Sequence, residues 1–269
     1  MSTAAWPMAQ NEPGVCDWQG QALDCAQCPC HDGGHWNVAV RCELGRACVE
    51  DRYARRVERF FNWNPRVADH YLGHPYFEVR AIAARHASVF RLTALIDDTD
   101  ETVRLSIATR LPQKQLQRLL RDPHREVRIR VAMRLDPPAL AAFCDDEDYY
   151  VRMIAARRLP VGLLPRLAND PDREVRMQVV ARIATPLLAG FADDPEVAVR
   201  RAVAQRASPV LLERLAGDAA WEVRWEVVQR ASAGLAERLL HDEEAEVRQA
   251  AAARLGLLRA ATLPEHSHG

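Results

Sequence analysis

Lysine is almost absent from this chain. Of its 36 basic residues only Lys114 is a lysine, and the others are arginines. Arginine suits paired, partly buried and bidentate contacts better than lysine does. The acidic residues number 37, which gives a formal net charge of -1. The composition therefore provides no overall attraction to nucleic acid or to an anionic membrane surface.

Long apolar runs and catalytic motifs are absent too. No stretch approaches the ~18 apolar residues that a membrane-spanning helix needs, and "MSTAAWPMAQNEPG" lacks the basic start and apolar middle of a secretory signal. We therefore expect no membrane association and a cytoplasmic location, where thiols normally stay reduced. The sequence has no P-loop, no GxSxG and no GxGxxG. We expect that the protein is not an enzyme.

The dipeptide Val-Arg recurs every 24 residues from Val79 to Val247, eight times and without an insertion. A strict period of this kind predicts a solenoid. With the valine as position 0, apolar residues at 0, +4, +5 and +8 form one face of a helix of about three turns. In the copy "DPHREVRIRVAMRL" we interpret Asp122 as the N-cap and Pro123 as the first helical residue.

The remainder of each repeat is short, often begins with proline and carries leucines three to four residues apart, as in "SPVLLERLAG". It predicts a second, shorter helix of the 3₁₀ type. Alternating β-branched runs are missing, so no strands are expected. The predicted fold class is all-α: a right-handed solenoid of eight 24-residue repeats, each with one α-helix and one short 3₁₀-like helix, preceded by a small cysteine-rich module.

Two arginine columns run through the repeats, at positions +1 and +7. The +1 arginine lies in the middle of the apolar face, where an unpaired guanidinium would cost several kcal/mol or more. Its natural partner is the aspartate at -5 of the same or the adjacent repeat, whereas the +7 arginine suits packing and capping at the helix end. A row of anion-binding arginines is the alternative for both columns. The predicted ladder comprises Arg80, Arg104, Arg128, Arg152, Arg176, Arg200, Arg224 and Arg248 with Asp98, Asp122, Asp146, Asp170, Asp194, Asp218 and Asp242.

Six of the seven cysteines fall between residues 16 and 48, and the seventh, Cys144, replaces an apolar residue of a repeat. The cysteine-rich segment is too short and too rich in glycine to build its own core, so a bound metal is expected to hold it together. The first pair, Cys25 and Cys28, has the spacing of a zinc knuckle, but the second pair, Cys42 and Cys48, is wider. Nearby arginines would offset an anionic iron–sulfur cluster. The residues alone leave zinc and a cluster as alternatives.

The repeat pattern "LxxLxxDPxxxVRxxVAxRL" around residues 164–183 resembles the leucine-rich repeat variant family, which implies alternating α and 3₁₀ helices. Its helical part is also similar to the core of HEAT-like repeats, the alternative fold. The stretches "CxxCP", "RCELGRACVEDRYARR" and "RFFNWNP" resemble the iron–sulfur module found ahead of leucine-rich repeat variant repeats. That resemblance implies a [4Fe-4S] cluster, with zinc as the alternative, and a bacterial and often nitrogen-fixing context. The implied ligands are Cys25, Cys28, Cys42 and Cys48, with Cys30 and Cys16 as less favoured ligands and His31 and His35 as further alternatives.

The predicted domains are 1–64 for the cysteine-rich module with a capping helix, 65–256 for the repeats, and 257–269 for a disordered tail, where His266 and His268 offer only adventitious metal binding. The favoured function is a scaffold that binds an unidentified protein partner, with a cluster that stabilises one end or senses redox state. An electron-transfer or cluster-donating protein is one alternative. Nucleic-acid binding by the arginine rows is another, which the near-zero net charge disfavours.

Overall fold

The computed structural model describes residues 15–26, 28, 30 and 39–262. Helices make up most of this part of the chain. It contains no strand, and its only β-type pairings are two isolated antiparallel bridges, Cys16 with Ala22 and Glu43 with Ala47. The predicted all-helical repeat fold is confirmed. In the same residues, no helix combines the length and the apolar character that crossing a membrane requires.

The chain divides after Leu135 into two compact units. The first contains the cysteine-rich module and the repeats of Val79, Val103 and Val127. Its α-helices are α1 (Ala54–Trp63), α2 (Phe77–His86), α3 (Glu101–Ala108), α4 (Gln113–Leu116) and α5 (Arg125–Arg134), and its 3₁₀ helices are Pro65–Tyr71, Leu92–Leu95 and Gln117–Leu119.

The second unit contains the other five repeats. Its α-helices are α6 (Tyr149–Arg158), α7 (Arg173–Arg182), α8 (Val197–Arg206), α9 (Pro209–Leu215), α10 (Trp221–Val228), α11 (Ala233–Leu239) and α12 (Ala245–Thr262), and its 3₁₀ helices are Pro137–Phe143, Val161–Leu167 and Thr185–Phe191.

The core of each unit is the apolar face that the repeat pattern predicts. In α7, Val175, Val179 and Val180 at positions 0, +4 and +5 have no exposed surface. The preceding 3₁₀ helix contacts α7 and buries Leu164 and Leu167. Full burial of such side chains contributes about 1.5–3 kcal/mol each, so stacked apolar faces supply most of the stability of the repeats.

The helices begin later than the sequence indicates. α5 starts at Arg125 with His124 as its N-cap, so the assignment of Asp122 as N-cap and Pro123 as first helical residue is wrong. Asp122 instead forms a turn before the helix, in which its Oδ1 accepts the N–H of His124 at 2.9 Å. Where the cap position carries an aspartate, as in Asp148, its carboxylate does accept N–H groups of the first turn.

Not every short helix is of the 3₁₀ type. α9 and α11 are α-helical, and each follows a serine, Ser208 or Ser232, whose hydroxyl accepts an N–H of the first turn at 3.3 Å. The six 3₁₀ helices have no such side-chain cap. A serine N-cap satisfies one of the donors that an α-helix leaves unpaired at its start, which favours the α form in α9 and α11. The single turn of α4 follows Pro112 without a side-chain cap.

The +7 arginines cap helix ends, but in the preceding repeat rather than in their own. Arg182 Nη1 donates to the carbonyl of Ala156 and its Nη2 to that of Leu159, both at 2.7 Å. In the first unit Arg134 donates from Nη1 to Ala108 and Leu111 at 2.7 and 2.9 Å. These carbonyls lack intrahelical partners where a helix ends, so each repeat completes the one before it.

The last helix is longer than the others. α12 spans 18 residues, so residues 257–262, which the sequence analysis assigned to a disordered tail, are helical. The stretch from Leu257 to Thr262 contains no proline and is rich in good helix formers, so nothing stops the helix at the usual place. Residues 263–269, with His266 and His268, lie outside the described residues.

Candidate metal centre and arginine–aspartate ladder

Three of the four predicted ligands line one small cavity. Cys25, Cys28 and Cys48 surround a space of about 210 Å³ together with Trp18 and Glu50. Partial burial is the largest cause of the raised pKa of Cys42. Cys28 and Cys25 also lie close enough for negative charge on them to raise this pKa. The structure therefore brings the four cysteines together at one end of the first unit.

A tight turn places the first pair on the same side of the chain. Asp24 Oδ1 accepts the N–H of Ala26 at 2.9 Å, and the N–H of Cys28 donates to the carbonyl of Cys25 at 3.3 Å. Such turns direct neighbouring side chains into a common space, as metal-binding knuckles require.

A small hairpin brings the second pair together. Glu43 and Ala47 exchange both main-chain hydrogen bonds at 2.8 Å, which folds the wide spacing between Cys42 and Cys48 back on itself. Gly45 sits at the tip with φ of +74°, in the left-handed region that glycine adopts without strain. Gly45 within "CELGRAC" was the signal in the sequence that the wider spacing is a closed hairpin.

Two polar contacts fix this hairpin to α1. The side chain of Asn64 donates to the carbonyl of Arg41 at 2.7 Å and accepts the N–H of Arg41 at 2.8 Å. Arg56 donates to the buried carboxylate of Asp51 at 3.0 Å, and its carbonyl accepts the N–H of Cys48 at 3.3 Å. The capping helix therefore holds both cysteines of the second pair.

Burial disfavours the thiolate form of Cys48. It raises the pKa of Cys48 to about 12, and negative charge on Cys28, Asp51 and Cys42 adds to the effect. A cation that binds thiolates would displace these protons, so metal binding is coupled to deprotonation.

Of the two less favoured cysteines, Cys30 adjoins the predicted ligand Cys28 and Cys16 belongs to a separate bridge. Cys30 is buried, with its Sγ 3.2 Å from the hydroxyl of Tyr71 and its N–H donating to Cys28 Sγ at 3.4 Å. Cys16 forms a bridge with Ala22, and its carbonyl accepts the N–H of Arg52 at 3.0 Å. Cys144 is buried in its repeat. His31 and His35 lie outside the described residues.

The donor set fits an iron–sulfur cluster. Cys25, Cys28 and Cys48 line one cavity with Cys42 nearby, and three arginines, Arg41, Arg46 and Arg56, lie on the elements that hold these cysteines. Within the described ranges no three Cys, His, Asp or Glu side chains lie close enough to hold one metal ion together. An iron–sulfur cluster needs no such group, because each of its cysteines binds a separate iron.

Sequence reasoning missed the residues that dock the module on the first repeat. The Trp18 ring stacks on Tyr76, with centroids 6.1 Å apart, and meets the edge of His74 at 4.9 Å. His74 Nε2 also lies 3.2 Å from a carboxylate oxygen of Glu50. The signal was an irregularity: His74 replaces the aspartate found at -5 in the other seven repeats.

Both parts of the chain match known families. A family model described as "LRV protein FeS4 cluster" matches residues 15–70, and one described as "Leucine rich repeat variant" matches residues 149–172. A solved structure described as a leucine-rich repeat variant with a novel repetitive structural motif is 43% identical, with a TM-score of 0.75 over 80% of this chain and 91% of that chain. The chain belongs to the leucine-rich repeat variant family. The module match extends to residue 70, six residues past the predicted boundary at 64, and so includes most of the first 3₁₀ helix.

A curated relative is similar over a shorter range. An uncharacterized 27.7 kDa protein in the nifB 3′ region of Rhodobacter capsulatus is 52% identical over 103 residues. The match covers 37% of this chain and 40% of that relative. The leucine-rich repeat variant family, with its iron–sulfur module, is therefore the level at which similarity identifies this protein.

In the described residues, six of the +1 arginines each hold the aspartate of the following repeat. Nε donates to Oδ2 at 2.7–2.8 Å, and Nη2 donates to Oδ1 at 2.8–3.0 Å. The pairs are Arg80–Asp98, Arg104–Asp122, Arg152–Asp170, Arg176–Asp194, Arg200–Asp218 and Arg224–Asp242.

The third nitrogen of each arginine anchors it to its own repeat. Arg176 Nη1 donates to the carbonyls of Asp170 and Pro171 at 2.8 and 3.1 Å. Arg128 makes the same contact with the carbonyl of Asp122 at 2.9 Å. Asp122 therefore meets Arg128 through its main chain, while its carboxylate binds Arg104. Asp146 accepts the N–H of Asp148 at 2.9 Å.

The last arginine of the ladder is exposed. Arg248 Nη1 donates to the carbonyls of Asp242 and Glu243 at 2.7 and 2.8 Å, as in its sister repeats. Among the described residues no carboxylate bonds to it. Among the described residues, Arg248 therefore has the same main-chain contacts as the other ladder arginines but no aspartate partner. It is a natural reference for them.

Proposed function

We propose that this protein is an iron–sulfur-containing helical repeat scaffold that binds a protein partner. Its cluster would be a [4Fe-4S] cluster held by Cys25, Cys28, Cys42 and Cys48. The observation that carries the proposal is the meeting of these four thiols at the capped end of a repeat array. When bound, the cluster supplies one-electron redox chemistry and holds together a module with little core of its own.

The repeats support the scaffold role because each of them presents a surface built on paired charges. In six ladder arginines the guanidinium already donates two hydrogen bonds to an aspartate, so it is not available to phosphate groups. This favours a protein partner over nucleic acid. We propose that the chain has no catalytic activity of its own and acts in the cytoplasm, in a nitrogen-fixation context suggested by the nif-region relative.

Electron transfer or cluster donation is the second candidate. The observation that favours it is the exposure of Cys25 and Cys42, which contrasts with the burial of Cys48. A cluster held partly by exposed cysteines lies within reach of a partner. A reversible reduction at a defined potential would favour this role, and an inert cluster would favour the scaffold.

Iron and acid-labile sulfide analysis after anaerobic purification tests the metal centre. We expect roughly four of each per chain, as a [4Fe-4S] cluster requires. Serine at Cys25, Cys28, Cys42 or Cys48 should each abolish cluster binding, whereas Cys144→Ala, a matched buried control, should retain it. Stoichiometric zinc without iron, or full iron content in the Cys48 variant, would show that the assignment is wrong.

Affinity purification from the native host tests the scaffold. The wild-type chain and a variant with all four cysteines replaced by serine are compared under anaerobic conditions. If the cluster senses redox state, a partner retained by the wild type should be lost or weakened in the variant. A partner retained equally by both would indicate a scaffold that does not depend on its cluster, and specific retention of nucleic acid would contradict the proposal.

A further inference from the structure

One tyrosine of the first repeat reaches into the cysteine-rich module. Tyr71 ends the 3₁₀ helix Pro65–Tyr71 and is 7% exposed. Its ring packs edge-on against Phe60 and Phe61 of the capping helix, with centroids 5.9 and 5.5 Å away. These aromatic contacts fix the position of its hydroxyl.

The hydroxyl of Tyr71 contacts Cys30, which in turn contacts the predicted ligand Cys28. Tyr71 Oη lies 3.2 Å from Cys30 Sγ, and the main-chain N–H of Cys30 donates to Cys28 Sγ at 3.4 Å. Cys30 is 3% exposed, and its buried thiol contacts both the hydroxyl of Tyr71 and the side chain of Cys28. A continuous path of two contacts therefore joins the first repeat to the sulfur of Cys28.

We propose that Tyr71 and Cys30 are positioning residues that hold the N–H of Cys30 against the sulfur of Cys28 and thereby raise the reduction potential of the cluster. The inference rests on the proposed function, because Cys28 must be a ligand. An N–H group that points at a ligand sulfur stabilises the additional negative charge of the reduced cluster, and such hydrogen bonds are among the determinants of cluster potential. In this arrangement Cys30 serves through its main chain and is not a ligand.

Two single variants break the path at different points. Tyr71→Phe removes only the hydroxyl, and Cys30→Ala removes only the thiol while the N–H remains. Each should keep full iron and sulfide content but shift the midpoint potential to more negative values. We expect the equilibrium constant for reduction to fall by roughly threefold to tenfold, and tenfold corresponds to about 59 mV for one electron.

The double variant and a control distinguish a positioning role of Tyr71 and Cys30 from a general destabilisation of the module. Tyr71→Phe combined with Cys30→Ala should shift the potential no further than either single change, because both act through one link. Tyr76→Phe is the control: its hydroxyl, also in the first repeat, bonds Glu78 and the carbonyl of Arg52 and no cysteine. It should leave the potential unchanged.

Anaerobic redox titration followed by visible absorption, with iron analysis of the same samples, gives distinct outcomes. An unchanged potential in both single variants, with the cluster present, would overturn the inference and leave the proposed function intact. Loss of iron from Cys30→Ala would also overturn it and would make Cys30 a ligand. Absence of any cluster from the wild-type protein would overturn the proposed function and the inference with it.

Discussion

At the scale of the residue, the ladder arginine is the most constrained side chain of the repeat. Arg176 is 8% exposed, and it donates hydrogen bonds to one carboxylate in the next repeat and to two carbonyls in its own. The carboxylate raises the pKa of Arg176 through these hydrogen bonds, so the guanidinium stays charged. Loss of one partner leaves the other charged and partly buried, which costs more than the pair gains.

Arg176→Met and Arg248→Met form a matched pair of variants. Arg176→Met leaves Asp194 without its guanidinium, and we expect the free energy of unfolding to fall by about 3 kcal/mol. Arg248→Met removes an exposed arginine with only carbonyl partners, and the loss should stay below about 1 kcal/mol. Urea unfolding of the two variants checks the difference, and equal losses would show that the carboxylate contacts contribute little.

At the scale of the element, the cysteine hairpin depends on the backbone of one glycine. Gly45 has φ of +74°, and a Cβ there would lie 3.4 Å from a methyl group of Val15. An alanine at this position costs about 1–2 kcal/mol in backbone strain. The strain falls on the turn that brings Cys42 and Cys48 together.

Gly45→Ala should therefore weaken cluster retention. We expect faster iron loss to a chelator than from the wild-type protein, with the melting of the repeats little changed. Gly162→Ala is the matched control, because Gly162 has an ordinary φ and open space around its Cα. If the two variants release iron at the same rate, the backbone conformation of the hairpin does not determine how well the cluster is retained.

Much of each element could be predicted from the period alone, and the failures have physical causes. The apolar residues at positions 0, +4 and +8 recur every 24 residues and are buried in all eight copies, so the helix faces follow directly from the sequence. The start of α5 could not be read off Asp122, because the carboxylate is claimed by Arg104 of the neighbouring repeat rather than by the helix that follows it. Helix propensity does not reveal contacts made between repeats.

At the scale of the whole molecule, the module could be predicted less completely than the repeats. Cysteine spacing and resemblance indicated four ligands, but the contact of Trp18 with His74 joins segments far apart in sequence, and only the irregular histidine pointed to it. The first repeat departs from its sisters where the module sits: its -5 position is a histidine directed to Glu50. Irregular positions in a regular array thus marked the contact surface.

Each ladder contact links an arginine to an aspartate 18 residues further along the chain, and each +7 arginine caps carbonyls 23 or 26 residues behind it. During synthesis, at about 5–20 residues per second, a repeat that has just been made waits about one to four seconds for the carboxylate that neutralises its arginine. Within each unit the newest repeat is therefore always the incomplete one. The array acquires its stability in the order in which it is translated, with every finished repeat lying behind the growing end.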